Sequence, residues 1–207
     1  MLLQATERAE AGDFAQAAEL SQQLLAQDET NTSALFLLSR SLTMLGRNND
    51  AIKALEKAVK SQPDDIDVFN LLGHLLYHSG RHEDAMDAFN RCLELKPDHV
   101  EAMRQMANLM LGSDQANALH LFKRAYALAP DHGDLLFDYA WAMTYSVGDT
   151  DMGANLFRRW LELGSGTADR GSIALQALNY ASNQNSGTLA RLHREWASRH
   201  TDPLGQA

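Results

Sequence analysis

A single cysteine, Cys92, in 207 residues excludes any internal disulfide and fits a reducing compartment. Four prolines and 7% aromatics leave little of the β-branched and aromatic material that pleated surfaces prefer. No basic block interrupts a chain of formal net charge -9, so the clustered Lys and Arg that bind phosphate backbones are missing and nucleic acid is not expected as a partner. The longest apolar runs, such as Ala34 to Leu38, fall far short of a bilayer span, and no signal-length apolar region follows Met1 to Leu3. The expected protein is therefore soluble, untargeted and cytoplasmic, with no membrane partner. What the sequence has in quantity is Ala, Leu, Gln and Glu, and with 45% apolar residues it can bury a substantial helical core.

Those residues recur with a fixed stride. In residues 66–99, Phe69, Leu72, Gly73, Leu76, Gly80, Ala85, Phe89, Cys92 and Pro97 stand at offsets 4, 7, 8, 11, 15, 20, 24, 27 and 32. Thirty-four residues earlier, Leu35, Leu38, Ser39, Leu42, Gly46, Ala51, Leu55, Ala58 and Pro63 occupy the same offsets. The small residue at offset 20 recurs as Ala17, Ala51, Ala85, Ala118 and Gly153, at spacings of 34, 34, 33 and 35. The two irregular spacings are expected in turns, at Gly112-Ser113-Asp114 and at Val147-Gly148-Asp149-Thr150, where a helical hairpin tolerates a residue more or less.

This arrangement resembles the tetratricopeptide repeat pattern, W-x2-L-G-x2-Y, then A-x3-F, then P, and implies helical hairpins stacked as a right-handed superhelical solenoid in the all-α class. Five repeats are expected at 1–31, 32–65, 66–99, 100–132 and 133–166, with a capping pair of helices and a tail at 167–207. Periodicity and breakers place the hairpins at 1–11 with 14–27, 32–45 with 48–61, 66–79 with 82–95, 100–111 with 114–128, and 133–146 with 150–163. Pro63, Pro97 and Pro130 each end a second helix. The capping helices are expected at 168–182 and 186–200, the last with an apolar stripe of Leu189, Leu192 and Trp196. The first repeat begins at offset 4, which suggests a natural start upstream of Met1 and an uncovered edge to which a second copy could bind.

In that family the first helix of each repeat lines a concave groove through offsets 2, 5, 9 and 12. Carried onto this sequence, the groove would present Phe36 and Arg40, then Asn70, His74 and Tyr77, then Arg104 and Asn108, then Phe137 and Trp141. Ser33, Thr43, Asp67, Glu101, Leu111, Asp134 and Thr144 complete the same offsets. Aromatic, amide and guanidinium groups side by side suit an extended peptide or partner protein. The competing reading is that Phe36, Phe137 and Trp141 only pack between neighbouring first helices. The carboxylate clamp of co-chaperone members is not reproduced: its positions hold Phe36, Arg40, Leu71, Glu101 and Gln105, of which Arg40 alone suits an anion.

No catalytic constellation, cofactor or metal is expected. His74, His78 and His82 have ligand-like spacing, but zinc needs three or four ligands and neither HExxH nor a Cys pair is present, so solvated or groove-lining histidines are the simpler reading. Gly164-Ser165-Gly166 lacks the context of a nucleophile elbow and reads as a loop. Cys92 takes the offset held by Ala58 and Ala125, a packing position.

A second resemblance covers roughly the last 35 residues. Residues 173–180, then 189–197 with Arg199-His200 and Pro203-Leu204, look like the joining segment of bacterial SPINDLY-type protein O-GlcNAc transferase family members. That resemblance implies an alternative role as the substrate-recognition arm of a larger nucleotide-sugar-dependent protein O-glycosyltransferase, beside the role of a protein interaction scaffold. The asparagine ladder that animal members of that transferase family carry at offset 6 is absent, since Leu37, Leu71, Gln105 and Asp138 stand there.

Overall fold

A computed structural model describes residues 1–164, 166–181 and 186–200. Among them there are helices and no strand. The helices are α1 (Leu2–Glu10), α2 (Phe14–Gln27), α3 (Thr32–Met44), α4 (Asn48–Ser61), α5 (Ile66–His78) and α6 (His82–Leu95). They continue with α7 (Val100–Met110), α8 (Gln115–Leu128), α9 (Gly133–Trp141), α10 (Thr150–Leu163), α11 (Ala168–Tyr180) and α12 (Ser186–His200). The all-α repeat class read from the sequence is the class observed, and each boundary falls close to its expected place.

Local chemistry explains those boundaries. Side-chain acceptors hold the free backbone donors of most first turns: Asn31 accepts from Ala34 N at 2.9 Å, Asp65 from Val68 N at 3.2 Å, and Asp149 from Met152 N at 3.0 Å. In α7 and α9 the acceptor is an imidazole, His99 Nδ1 from Ala102 N at 3.1 Å and His132 Nδ1 from Leu135 N at 3.3 Å. The turn between paired helices uses a left-handed glycine, as at Gly80 with φ 77° and Gly148 with φ 82°, a conformation a side chain would strain. Second helices end one residue ahead of the position before proline, so that α4, α6 and α8 stop at Ser61, Leu95 and Leu128.

The chain forms two compact units, Met1–Gln105 and Met106–Ala207. In the first, the hairpins bury Ala17, Ala51 and Ala85 completely where paired helices cross. A methyl group at Gly73 would lie 2.7 Å from the Phe89 ring, so offset 8 must stay small beneath offset 24. Cys92 is buried in this core, and burial pushes its thiol pKa up to about 11, as suits a packing residue.

In the second unit, α9 carries an unforeseen feature: it continues as a π-helical turn over Ala142–Val147. The extra residue behind the 35-residue spacing therefore sits inside the helix and not in the turn, because α10 starts two residues after Gly148 just as α6 starts two after Gly80. A π turn widens one loop of helix by one residue and leaves the surrounding register intact. Gln115 of α8 donates to the Ser146 carbonyl at 2.7 Å, satisfying one acceptor of that turn. The missing residue at Gly112-Ser113-Asp114 does lie in a turn, one without a left-handed glycine, where Ser113 N and Asp114 N both donate to the Met110 carbonyl at 3.1 and 2.7 Å. At the end of the unit Leu192 and Trp196 are buried, Leu189 half-buried, and the Trp196 ring lies 5.6 Å from Trp160. Gly171 makes room for that indole, since a methyl there would overlap it. Of the expected loop Gly164-Ser165-Gly166, Ser165 lies outside the described residues, as do Ser182 and the Pro203-Leu204 pair.

Candidate functional site

The first helix of each hairpin is the leading helix, and its residues are followed here unit by unit. In the first unit a depression of 240 Å³ is lined by Leu2 and Thr6 of α1, Ser33, Phe36 and Arg40 of α3, and Asp67 of α5. Three successive leading helices thus open onto one hollow. Phe36 is half-buried and Arg40 exposed. One turn beyond Asp67, Asn70 is half-buried, and its Oδ1 is buried with no hydrogen-bond partner. An unmet acceptor at such a place costs free energy until a donor arrives.

Further along α5, His74 turns to a charged cluster. Its Nε2 lies 3.0 Å from Glu101 Oε1, and its ring meets Phe89 edge-on at 5.6 Å. Arg104 donates through Nε to Glu101 Oε2 at 2.9 Å and through Nη2 to Oε1 at 2.5 Å, while Gln105 Nε2 adds a bond of 3.0 Å. Burial works against the Glu101 charge, but hydrogen bonds from His74, Arg104 and Gln105 and the Arg104 charge outweigh it and hold the carboxyl well below the usual range. Arg104, read from sequence as a groove contact, is almost fully buried and serves this cluster. Such a bidentate pair was not legible in spacing alone, although Glu101 and Arg104 are three apart on one helix face.

Tyr77 is half-buried between two imidazoles, His78 at 5.3 Å and His82 at 5.6 Å. Those two histidines are thus ring partners of a tyrosine, while His74 faces a carboxylate. Among the described residues no group of three or more His, Cys, Asp or Glu side chains gathers in a way that could hold a metal ion. No helix among them is long and apolar enough to cross a membrane.

In the second unit Asn108 donates through Nδ2 to Asp138 Oδ2 at 2.8 Å, joining α7 to α9. Phe137 is interior: Trp160 lies 5.2 Å away, Phe157 5.5 Å, and the Arg170 guanidinium sits 4.7 Å over its ring. For Phe137 the packing reading is the one the structure shows. Trp141 is different, 40% exposed and 4.4 Å from the ring of Tyr145, itself 50% exposed. Tyr145 is outside the four groove offsets, and the π turn that carries it gave no signal in the sequence. That pair is the accessible aromatic surface that α9 and its π turn present.

The tetratricopeptide repeat family models match residues 8–75 and 66–99. Residues 8–99 are tetratricopeptide repeats. No curated protein matches its sequence. Among solved structures, the PilF protein of Pseudomonas aeruginosa is 16% identical with a TM-score of 0.80, over 98% of this chain and 91% of that one. PilW, described as a widely conserved type IV pilus biogenesis factor, is 18% identical with a TM-score of 0.77, over 99% of this chain and 92% of that one. YrrB, described as a TPR protein with an unusual peptide-binding site, is 18% identical with a TM-score of 0.67, over 84% of this chain and 88% of that one. At these identities the likeness is one of fold. It extends over α11 and α12, since PilF and PilW superpose on nearly the whole chain. The joining-segment resemblance to SPINDLY-type transferases finds no support in these comparisons, and the packing of Leu192 and Trp196 in the second unit accounts for that stretch without it.

Proposed function

We propose that this tetratricopeptide repeat protein is a non-catalytic interaction scaffold that holds an extended peptide or partner segment against its leading helices. The observation that carries the reading is the hollow of the first unit, one depression lined by Phe36, Arg40 and Asp67; one turn further along α5, outside that lining, Asn70 keeps a buried acceptor without a donor. A peptide laid there supplies what its lining needs: a carboxylate for Arg40 and an apolar side chain for Phe36. His74 and Tyr77 extend the same helix face, and Asn108 and Trp141 are the corresponding contacts offered by the second unit. That YrrB, which shares the fold, is described as having a peptide-binding site supports the reading. The buried, unreactive Cys92 fits service in a reducing compartment such as the cytoplasm.

The alternative, a recognition arm of a larger protein O-glycosyltransferase, would use the same face and has no observation of its own in its favour. The scaffold reading is tested with peptides selected against the intact chain from a random display library. Phe36→Ala combined with Asn70→Ala should weaken their binding about tenfold or more, with the melting temperature nearly unchanged because the lost Asn70 acceptor was unpaired. Equal affinities in a titration of both forms would show that this face is not the site.

A further inference from the structure

The fixed stride also allows a comparison along the face built by the second helices. In repeat three, two ion pairs tie α6 to what precedes it. Arg81 Nη1 reaches Glu56 Oε1 of α4 at 3.5 Å, and Arg91 Nη2 reaches Asp64 Oδ1, in the turn before α5, at 3.1 Å. Within the second unit Arg159 makes the equivalent of the latter bond, to Asp131 Oδ1 at 2.7 Å. One stride of 34 residues before Glu56 and Asp64 stand Gln22 and Thr30, and neither carries a charge. Both straps are therefore missing from repeat two.

Their cations remain. Arg47 is held by Asp50 of its own first turn at 2.6 Å, and Lys53 lies 3.7 Å from the same carboxylate. Lys57, the counterpart of Arg91, is exposed and has no ion-pair partner among the described residues. The nearby Asp28 carboxylate is engaged with Thr30, accepting from its N at 3.0 Å and its Oγ1 at 2.7 Å. Where the straps are absent, a pocket of 320 Å³ opens between α2 and α4, floored by Leu25, Leu35, Leu38 and Leu42. Its rim of Arg47, Lys53 and Lys57 against Asp50 is cationic on a chain whose net charge is -9.

We propose that this pocket is a second binding site, for an acidic peptide segment that carries an aliphatic anchor. The anchor fills the leucine floor, and the flanking carboxylates take the places that Glu56 and Asp64 hold in the next repeat. Aliphatic burial supplies affinity, while the rim selects the sign of the guest's charge and makes binding salt-sensitive. This site belongs to the second helices and is independent of the leading-helix hollow.

The test is fluorescence anisotropy of the full chain with a labelled peptide in which one leucine is flanked on each side by three glutamates. Binding is expected, with about a tenfold or greater loss for Lys53→Glu combined with Lys57→Glu. A peptide with serine for leucine, or lysine for glutamate, should bind correspondingly worse. Gln22→Glu with Thr30→Asp rebuilds both straps and should also weaken binding, while the melting temperature holds or rises. Phe36→Ala with Asn70→Ala should leave binding unchanged. No binding of the acidic leucine peptide, equal binding by the charge-reversed form, or equal binding of the serine peptide would overturn the proposal. Loss of binding in the Phe36 and Asn70 variant would move the peptide to the leading helices and overturn it equally.

Discussion

In repeat three, α5 runs from Ile66 to His78, a left-handed glycine follows at Gly80, and Ala85 meets the crossing with a methyl group. In repeat five the leading helix is one residue longer, the surplus is taken up by the π turn at Ala142–Val147, and the crossing residue is Gly153. The two facts are linked. The π turn carries Thr144, and a methyl at Gly153 would overlap Thr144 Oγ1 and come within 3.1 Å of the Ala140 carbonyl oxygen. The Thr144 hydroxyl is buried there without a partner. An insertion inside one helix thus fixes what its neighbour can carry, and the stride survives because the partner residue shrinks.

The comparison breaks first where space is shortest. Ala85→Leu places three further carbons at a fully buried crossing and should destabilise by about 3 kcal/mol through overpacking. Calorimetry that found the melting temperature unchanged would contradict the register assigned to repeat three. A smaller effect is expected on the other side. Gly153→Ala should cost about 2 kcal/mol, although glycine to alanine within a helix is ordinarily stabilising by about 1 kcal/mol. The reversed sign is what distinguishes repeat five, and chemical denaturation reads it directly.

A third difference is electrostatic. Repeat three is joined to α7 by the bond between His74 and Glu101, so its stability should depend on pH. Glu101 is held below its ordinary value of 4.5, so its contribution is present above that value and is lost as pH falls toward the depressed folded value. Glu101→Gln should cost about 1–2 kcal/mol near neutrality, because the two bonds from buried Arg104 and the one from His74 lose their charged acceptor. The gap between wild type and variant should narrow between about pH 5 and pH 3. A melting-temperature gap of the same size at both ends would rule out Glu101 as the group responsible.

How much of this could be read from sequence depends on whether the cause was local. Gly80 and Pro97 act within a few residues of themselves, so helix ends followed closely from such breakers, while the caps at Asn31 and Asp65 emerged only from the structure. The 35-residue spacing announced a surplus residue before Gly153 but not whether a turn or a helix would absorb it, since both leave the later offsets unchanged. Among groove candidates, Phe36 and Arg40 line the depression of the first unit. Phe137 does not face a guest, because Arg170 covers it from α11, a helix outside the repeat pattern. Arg104 is drawn inward by Glu101, and the empty acceptor of Asn70 depends on what neighbouring helices fail to offer, which no spacing encodes.

The claim on which the rest depends is that every hairpin keeps one register even where its length departs from the stride. Its most direct test is a double-mutant cycle on Gly153→Ala and Thr144→Ala, measured by denaturant unfolding. Removing the threonine hydroxyl clears the overlap, so the double variant should be more stable than the sum of the single effects by about 1 kcal/mol. Strictly additive effects would mean that α10 does not cross the π turn at this residue, and that the register of repeat five has been misassigned.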